Sequence, residues 1–243
     1  MSATNTSHDL EKHEEARFDV PRRTITPGGH PMDYSQPAIP PSHRKFGNPA
    51  PLGLTSFGAG FFLVSAINLR AQGVSIPNVA VPVLLFYGGI MQVLVGMWEM
   101  AIGNTYGATV FSSYGAFNLT FAGLYLPDLG VAAAYTLADG SLDPQFSQAV
   151  GLYLIMWMMV TIVFIIGSLR SSGAVLSTLV FTAVAFLALA INNFSPSDGA
   201  RIAGGALGMV AAFCSWWAAM AGFWVKDTTF AILQPNPLSL APH

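Results

Sequence analysis

The chain has 243 residues, of which 53% are hydrophobic and only 9% charged, with a formal net charge of -2. An ordinary soluble domain carries about 25% charged residues, so the stretch from Asn48 to Val225 excludes a water-facing surface and requires lipid as its solvent. The balanced charge leaves no basic footprint for nucleic acid, and a single cysteine, Cys214, excludes a disulfide framework or a thiolate metal centre.

Residues 1–46 are polar. The first 45 hold six Lys or Arg and six Asp or Glu among Pro, Gly, Ser and His, too few aliphatics to repay chain entropy, so a disordered cytosolic tail is expected. The opening residues lack the short apolar core of a secretory signal, and their acids argue against a mitochondrial transit peptide.

Residues 47–227 read as a transmembrane domain of six helices, at about 50–69, 79–102, 107–126, 148–168, 174–192 and 201–224. Each approaches the roughly 20 residues that cross a bilayer. Pro, Gly, Asn and Asp punctuate the connections, as in Ser75-Ile76-Pro77-Asn78 and Ser195-Pro196-Ser197-Asp198-Gly199. With the N-terminus inside, Arg170, Lys226 and the cations of the tail lie on the inner side, and only Arg70 and Arg201 lie outside. Both termini, including a C-terminal tail over 228–243, are therefore expected in the cytosol.

The first helix opens on Gly47-Asn48-Pro49-Ala50-Pro51-Leu52-Gly53-Leu54. Asn48 is placed to cap free N–H groups, and Pro49 sits where a missing N–H costs nothing. This is either a well-made helix start or a positively polarised mouth that attracts small anions. An aquaporin reading of Asn48-Pro49-Ala50 fails, because the other candidate triplet, Asn236-Pro237-Leu238, falls beyond the last span.

Hydroxyls and amides recur inside the apolar helices: Thr55, Ser56, Gln92, Ser112, Ser113, Tyr114, Asn118, Thr178, Thr182, Asn192 and Asn193. Each alone reads as interhelical glue, whereas their spread over several helices points to a polar path. Gln92 and Glu99 are seven residues apart and share one helix face, so Glu99 is either structural near the inner helix end or a proton- or substrate-coupling group. No Lys or Arg lies near the middle of a span. A carboxylate would meet hydroxyls, amides and helix dipoles there, which suits weak binding and fast release. An embedded enzyme is not expected, since all five His lie in the tails, and no cofactor or metal is implied.

The block from Phe46 to Gly58, followed in order by Phe86-Tyr87-Gly88-Gly89-Ile90, Gln92, Glu99, Gly103-Asn104-Thr105-Tyr106-Gly107, Phe111-Ser112-Ser113-Tyr114-Gly115 and Leu187 to Asn193, resembles the acetate uptake transporter family. That family includes bacterial succinate/acetate permeases and fungal acetate/ammonia transporters. The resemblance implies an all-α membrane protein with six transmembrane helices per protomer around a pore. It further implies a homo-oligomer, a hexamer, in the plasma membrane, passing acetate and similar small monocarboxylates by channel-like or proton-coupled passage. By motif position the pore constriction falls on Phe57, Tyr114 and Thr182, with Phe181 or Phe186 as other candidates for the third member. Asn48, Pro49, Ala50, Leu54, Thr55, Gln92, Ser113, Asn118 and Asn193 are the expected path or binding residues. Ammonium export, or acetate sensing through the N-terminal tail, is the alternative.

Overall fold

In the computed structural model, residues 47–240 are described; the expected N-terminal tail over 1–46 and the last three residues lie outside them. Six long helices follow one another: α1 (Ala50–Asn68), α2 (Pro77–Ala101), α3 (Thr105–Gly123), α4 (Pro144–Ser168), α5 (Gly173–Phe194) and α6 (Asp198–Phe223). Among the described residues there are no strands beyond two isolated bridges, Thr136 with Leu142 and Ser172 with Ser239.

Five of the six helices are long and apolar enough to cross a membrane. The exception is α3, whose 19 residues rise about 28 Å at 1.5 Å each and so reach across, but whose Thr105, Thr109, Ser112, Ser113, Asn118 and Thr120 lower its hydropathy. Two of these hydroxyls are satisfied within the helix, Thr109 Oγ1 donating to the Thr105 carbonyl at 2.8 Å and Thr120 Oγ1 to the Ala116 carbonyl at 2.8 Å, whereas Ser112 Oγ is buried without a partner among the described residues. Of the six, Asn118 is buried, Ser112 and Ser113 are half-buried, and Thr105, Thr109 and Thr120 are exposed.

Helix starts lie one to four residues ahead of the apolar stretches at α2, α4, α5 and α6, and a side-chain cap precedes the first turn in the last three. Asp143 Oδ1 accepts the Gln145 N–H at 2.8 Å, with Pro144 in the first turn of α4. Ser172 Oγ accepts from Val175 N at 3.3 Å and Ser197 Oγ from Ala200 N at 3.4 Å. Between α2 and α3, Gly103 takes the left-handed φ of +86° that reverses the chain.

The helices close into a ring in the spatial order α1, α6, α5, α4, α3, α2. Small residues set the tight seams. A methyl group added at Gly96 would collide with Ser112 on α3, and one at Gly115 with Val93 on α2, so these positions let the α2 and α3 backbones touch. The Val83–Ile90 stretch of α2 is wound as a π-helix, and the widened turn leaves the Gly88 carbonyl to accept from Asn118 Nδ2 at 3.2 Å. The α3–α4 seam is wider and is filled by aromatic side chains. Here Phe117 stacks on Tyr153 at 6.0 Å and meets Trp157 edge to face at 5.2 Å.

After α6 the chain returns along the same end of the ring that carries the α1 N-terminus. The Leu238 carbonyl accepts from Gly173 N at 2.7 Å and Leu240 N donates to the Ser171 carbonyl at 3.1 Å. Residues 236–240 thus pack on the helices.

Candidate functional site

Three cavities follow α1 from its N-terminus to its C-terminus. The first, about 170 Å³, lies between α1, α2, α3 and α5 and has walls that include Ala50, Leu54, Phe57, Gln92, Asn104 and Tyr114. The second is small, about 30 Å³, and lies one turn further on against Gly60, Phe61, Asn118 and Phe186. The third, about 230 Å³, opens at the far end beside Asn68, Arg70, Ser75 and Arg201. Val64, Leu84 and Phe121 line both the second and the third, so those two are adjoining rooms.

Aromatic rings stand between the first cavity and the second. Phe57 and Tyr114 meet edge to face with centroids 5.2 Å apart. Phe57 stacks on Phe61 at 5.1 Å, and Phe61 in turn meets Phe186 at 5.8 Å. Phe186 closes against Phe117 at 5.1 Å. The tyrosine is fixed at both ends: its hydroxyl shares a 2.9 Å hydrogen bond with Thr161 Oγ1, and its ring lies against Phe164. Such contacts bury the rings and leave the row of cavities interrupted at this level.

Of the residues expected at a constriction, Phe57 and Tyr114 are brought together. Thr182 is fully buried, but its hydroxyl donates to the Thr178 carbonyl at 2.7 Å, and it lines none of the three cavities. The ring of contacts is completed instead by Phe186, one helical turn along α5.

Gln92 has the least expected chemistry. It is fully buried, and among the described residues neither Nε2 nor Oε1 has a hydrogen-bond partner, yet it forms part of the first cavity's wall. A buried amide without partners costs about 1–3 kcal/mol, so the fold tolerates a group able to donate and accept at once.

The remaining expected path residues divide. Ala50 and Leu54 line the first cavity and Asn118 the second. Asn48 accepts the Ala50 N–H at 3.1 Å, one residue ahead of the helix cap at Pro49. Thr55 Oγ1 donates to Pro51 O at 2.7 Å, and Asn193 Nδ2 to Leu189 O at 2.8 Å. Neither of these, nor Ser113, lies in a cavity wall. Glu99 is buried beneath the first cavity, where Oε2 accepts from Asn104 Nδ2 at 2.6 Å while Oε1 has no partner. Asn104 turns its Oδ1 to the Gly107 N–H at 3.0 Å and so caps α3.

Sequence reasoning did not place Asn104, Tyr106, Phe61, Phe117 or Thr161 at the site. Phe61 follows Phe57 by four residues and Phe117 follows Tyr114 by three, spacings that put each pair on one helix face. That signal was available, but phenylalanine is common throughout these spans.

The sequence profile of the GPR1/FUN34/yaaH family matches residues 32–240. The chain is 39% identical over 215 residues to accumulation of dyads protein 2 of Saccharomyces cerevisiae, covering 88% of this chain and 71% of that protein. It is 38% identical to ammonia transport outward protein 2 of the same yeast, over 91% of this chain and 74% of the other. Acetate permease A of Emericella nidulans is 38% identical, over 78% of this chain and 66% of its own. Among solved structures, the bacterial acetate channel SatP superposes with a TM-score of 0.68 at 29% identity, over 79% of this chain and all of the SatP chain. The chain belongs to the GPR1/FUN34/yaaH family.

Proposed function

We propose that each protomer passes acetate and similar small monocarboxylates along the row of cavities beside α1, with the Phe57–Tyr114 contact as its constriction. The observation that carries this reading is the Gln92 amide, unpartnered among the described residues, in the wall of the mostly apolar cavity that Phe57 and Tyr114 also line. Its N–H donates to a carboxylate, and its carbonyl accepts the O–H of the neutral acid, so one group serves either form of the substrate. With no Lys or Arg near mid-span, binding stays weak enough for release. The likeness to an acetate permease and to an acetate channel supports the same substrate class.

In this reading all six helices span the plasma membrane and α3, the most polar, is shielded by its neighbours. Both termini face the cytosol, and protomers assemble as a homo-oligomer, a hexamer. Thr182 acts behind the constriction, supporting α5, and Phe186 supplies the third ring. Whether passage is channel-like or proton-coupled is decided by acetate uptake into proteoliposomes with and without an imposed proton gradient. Uptake down the acetate gradient alone identifies a channel, and absence of uptake in every condition refutes the reading.

A second reading, ammonium or ammonia movement, is favoured by the likeness to an ammonia transport outward protein. The Gln92 carbonyl and the rings of Phe57 and Tyr114 offer a cation an acceptor and π faces. Counterflow of labelled acetate against ammonium separates the two.

A further inference from the structure

The third cavity differs from the other two in charge. Arg70 and Arg201 both line it while no acid among the described residues does, and Asp198 stands beside both cations. The two cations are used differently. Arg201 is mostly sheltered, with 16% of its side chain exposed, and its donors are committed: Nε and Nη2 reach Asp198 Oδ1 at 3.2 and 2.8 Å, and Nη1 donates to the Asn68 carbonyl at the end of α1. It ties α6 to α1.

Arg70 is 59% exposed, and its Nη2 stays 3.9 Å from the same Asp198 oxygen, beyond hydrogen-bond reach. Its side chain makes no hydrogen bond to any described residue. The backbone that presents it is unusual, because Arg70 and Gln72 both hold left-handed φ values, 54° and 53°, in the turn leaving α1. Non-glycine residues seldom adopt this region. Two cations against one acid leave the cavity with a surplus positive charge, and the unspent guanidinium is the member able to grip a carboxylate through paired N–H donors. The cavity holds about 230 Å³ and adjoins the second cavity through shared walls at Val64, Leu84 and Phe121, so an anion held there stands at the entrance of the row.

We propose that this cavity is a carboxylate-collecting vestibule in which Arg70 is the anion-binding residue, Arg201 is its scaffold and Asp198 sets how strongly an anion is held. The proposal rests on the transport reading and adds to it a site distinct from Gln92 and the aromatic constriction. A charge at the mouth of a low-dielectric cleft raises the local concentration of the opposite ion without entering the translocation step. Its signature is therefore a change in KM that fades with salt, with kcat left alone.

The test is initial acetate uptake by the full chain in proteoliposomes, over a range of acetate concentrations at low and at physiological ionic strength. Wild type is compared with Arg70→Gln, Arg70→Lys and Asp198→Asn. In the expected result, Arg70→Gln raises KM about threefold or more at low salt and flattens its salt dependence. Arg70→Lys keeps the charge and with it the salt dependence, but loses the paired donors and so raises KM less than Arg70→Gln does, and Asp198→Asn shifts KM the opposite way. The opposed sign of the two single-charge changes separates the proposal from a loss of folding, which would lower kcat in both. Wild-type KM and salt dependence in Arg70→Gln, with transport otherwise intact, would overturn the vestibule alone. Wild type that moves no acetate would overturn the transport reading and the vestibule with it.

Discussion

Phe57 of α1 and Tyr114 of α3 meet edge to face, 5.2 Å between centroids, at the level where the first cavity ends and the second begins. Removing either ring joins the two cavities. Phe57→Ala and Tyr114→Ala are therefore expected to admit carboxylates longer than acetate, read as competition by propionate and butyrate in an acetate uptake assay. Truncating a large buried ring costs about 3–5 kcal/mol, so both variants should also melt earlier. Tyr114→Phe keeps the ring and loses only the 2.9 Å bond to Thr161, at about 1 kcal/mol. Its selectivity should match wild type, and a widened substrate range in this variant would show that the hydroxyl, not the ring, closes the path.

Gln92 gives a prediction in which stability and function move in opposite directions. Gln92→Leu keeps the volume and removes two buried polar atoms that have no partner, so the detergent-solubilised protein should gain about 1 kcal/mol and melt a few degrees higher. The same change removes a hydrogen bond to the carboxylate. Bonds to charged groups contribute about 1.5–3 kcal/mol, so KM for acetate should rise about tenfold or more. Higher stability with unchanged KM would exclude Gln92 from the substrate path.

The α2–α3 seam should not tolerate added bulk. A Cβ at Gly96 would lie 2.8 Å from Ser112 N and 3.0 Å from the Ala108 carbonyl, besides meeting the Ser112 hydroxyl. Gly96→Ala is expected to destabilise by about 1–3 kcal/mol, seen as a lower melting temperature. Adding Ser112→Ala should not restore it, because two of the three obstacles are backbone atoms.

Five of the six long helices were legible from hydropathy alone, since a bilayer demands long apolar stretches whatever the fold, and α3 is the one too polar to stand out that way. Their rotation was not. In a soluble helix the polar face marks the outside, whereas here lipid and core are equally apolar, and exposed Phe86 carries no different signal from buried Phe117. Thr182 was expected at the constriction by motif position, with Phe181 or Phe186 as other candidates; the Thr182 hydroxyl bonds within α5, and Phe186 is the candidate whose ring meets Phe61 and Phe117. Asn104 was readable as part of a motif but not as part of a wall, because its role depends on Glu99, which reaches it only once α2 and α3 fold back on each other. The helix starts were misplaced for a simpler reason. Asp143 and Ser197 cap first turns that carry polar residues, Gln145 and Ser147 in α4 and Asp198 and Arg201 in α6.

Glu99 separates a structural role from a coupling one. Its Oε2 accepts from Asn104 Nδ2 at 2.6 Å, and that contact holds the amide so that Oδ1 faces the Gly107 N–H and caps α3, the helix that carries Tyr114. A glutamine at this position still offers a carbonyl to Asn104, so Glu99→Gln should preserve the cap and the melting temperature to within about 1 kcal/mol. Glu99→Ala leaves Asn104 Nδ2 without a partner, and Asn104→Ala removes the cap itself at about 1 kcal/mol. Both should destabilise and slow uptake together. If the carboxyl serves only the cap, Glu99→Gln transports like wild type under every gradient. If it carries a proton for the substrate, Glu99→Gln keeps its stability and loses the stimulation by an imposed proton gradient. A purely structural role does not produce that second result, because Gln keeps the acceptor and the shape that hold Asn104 and loses the charge and the capacity to titrate.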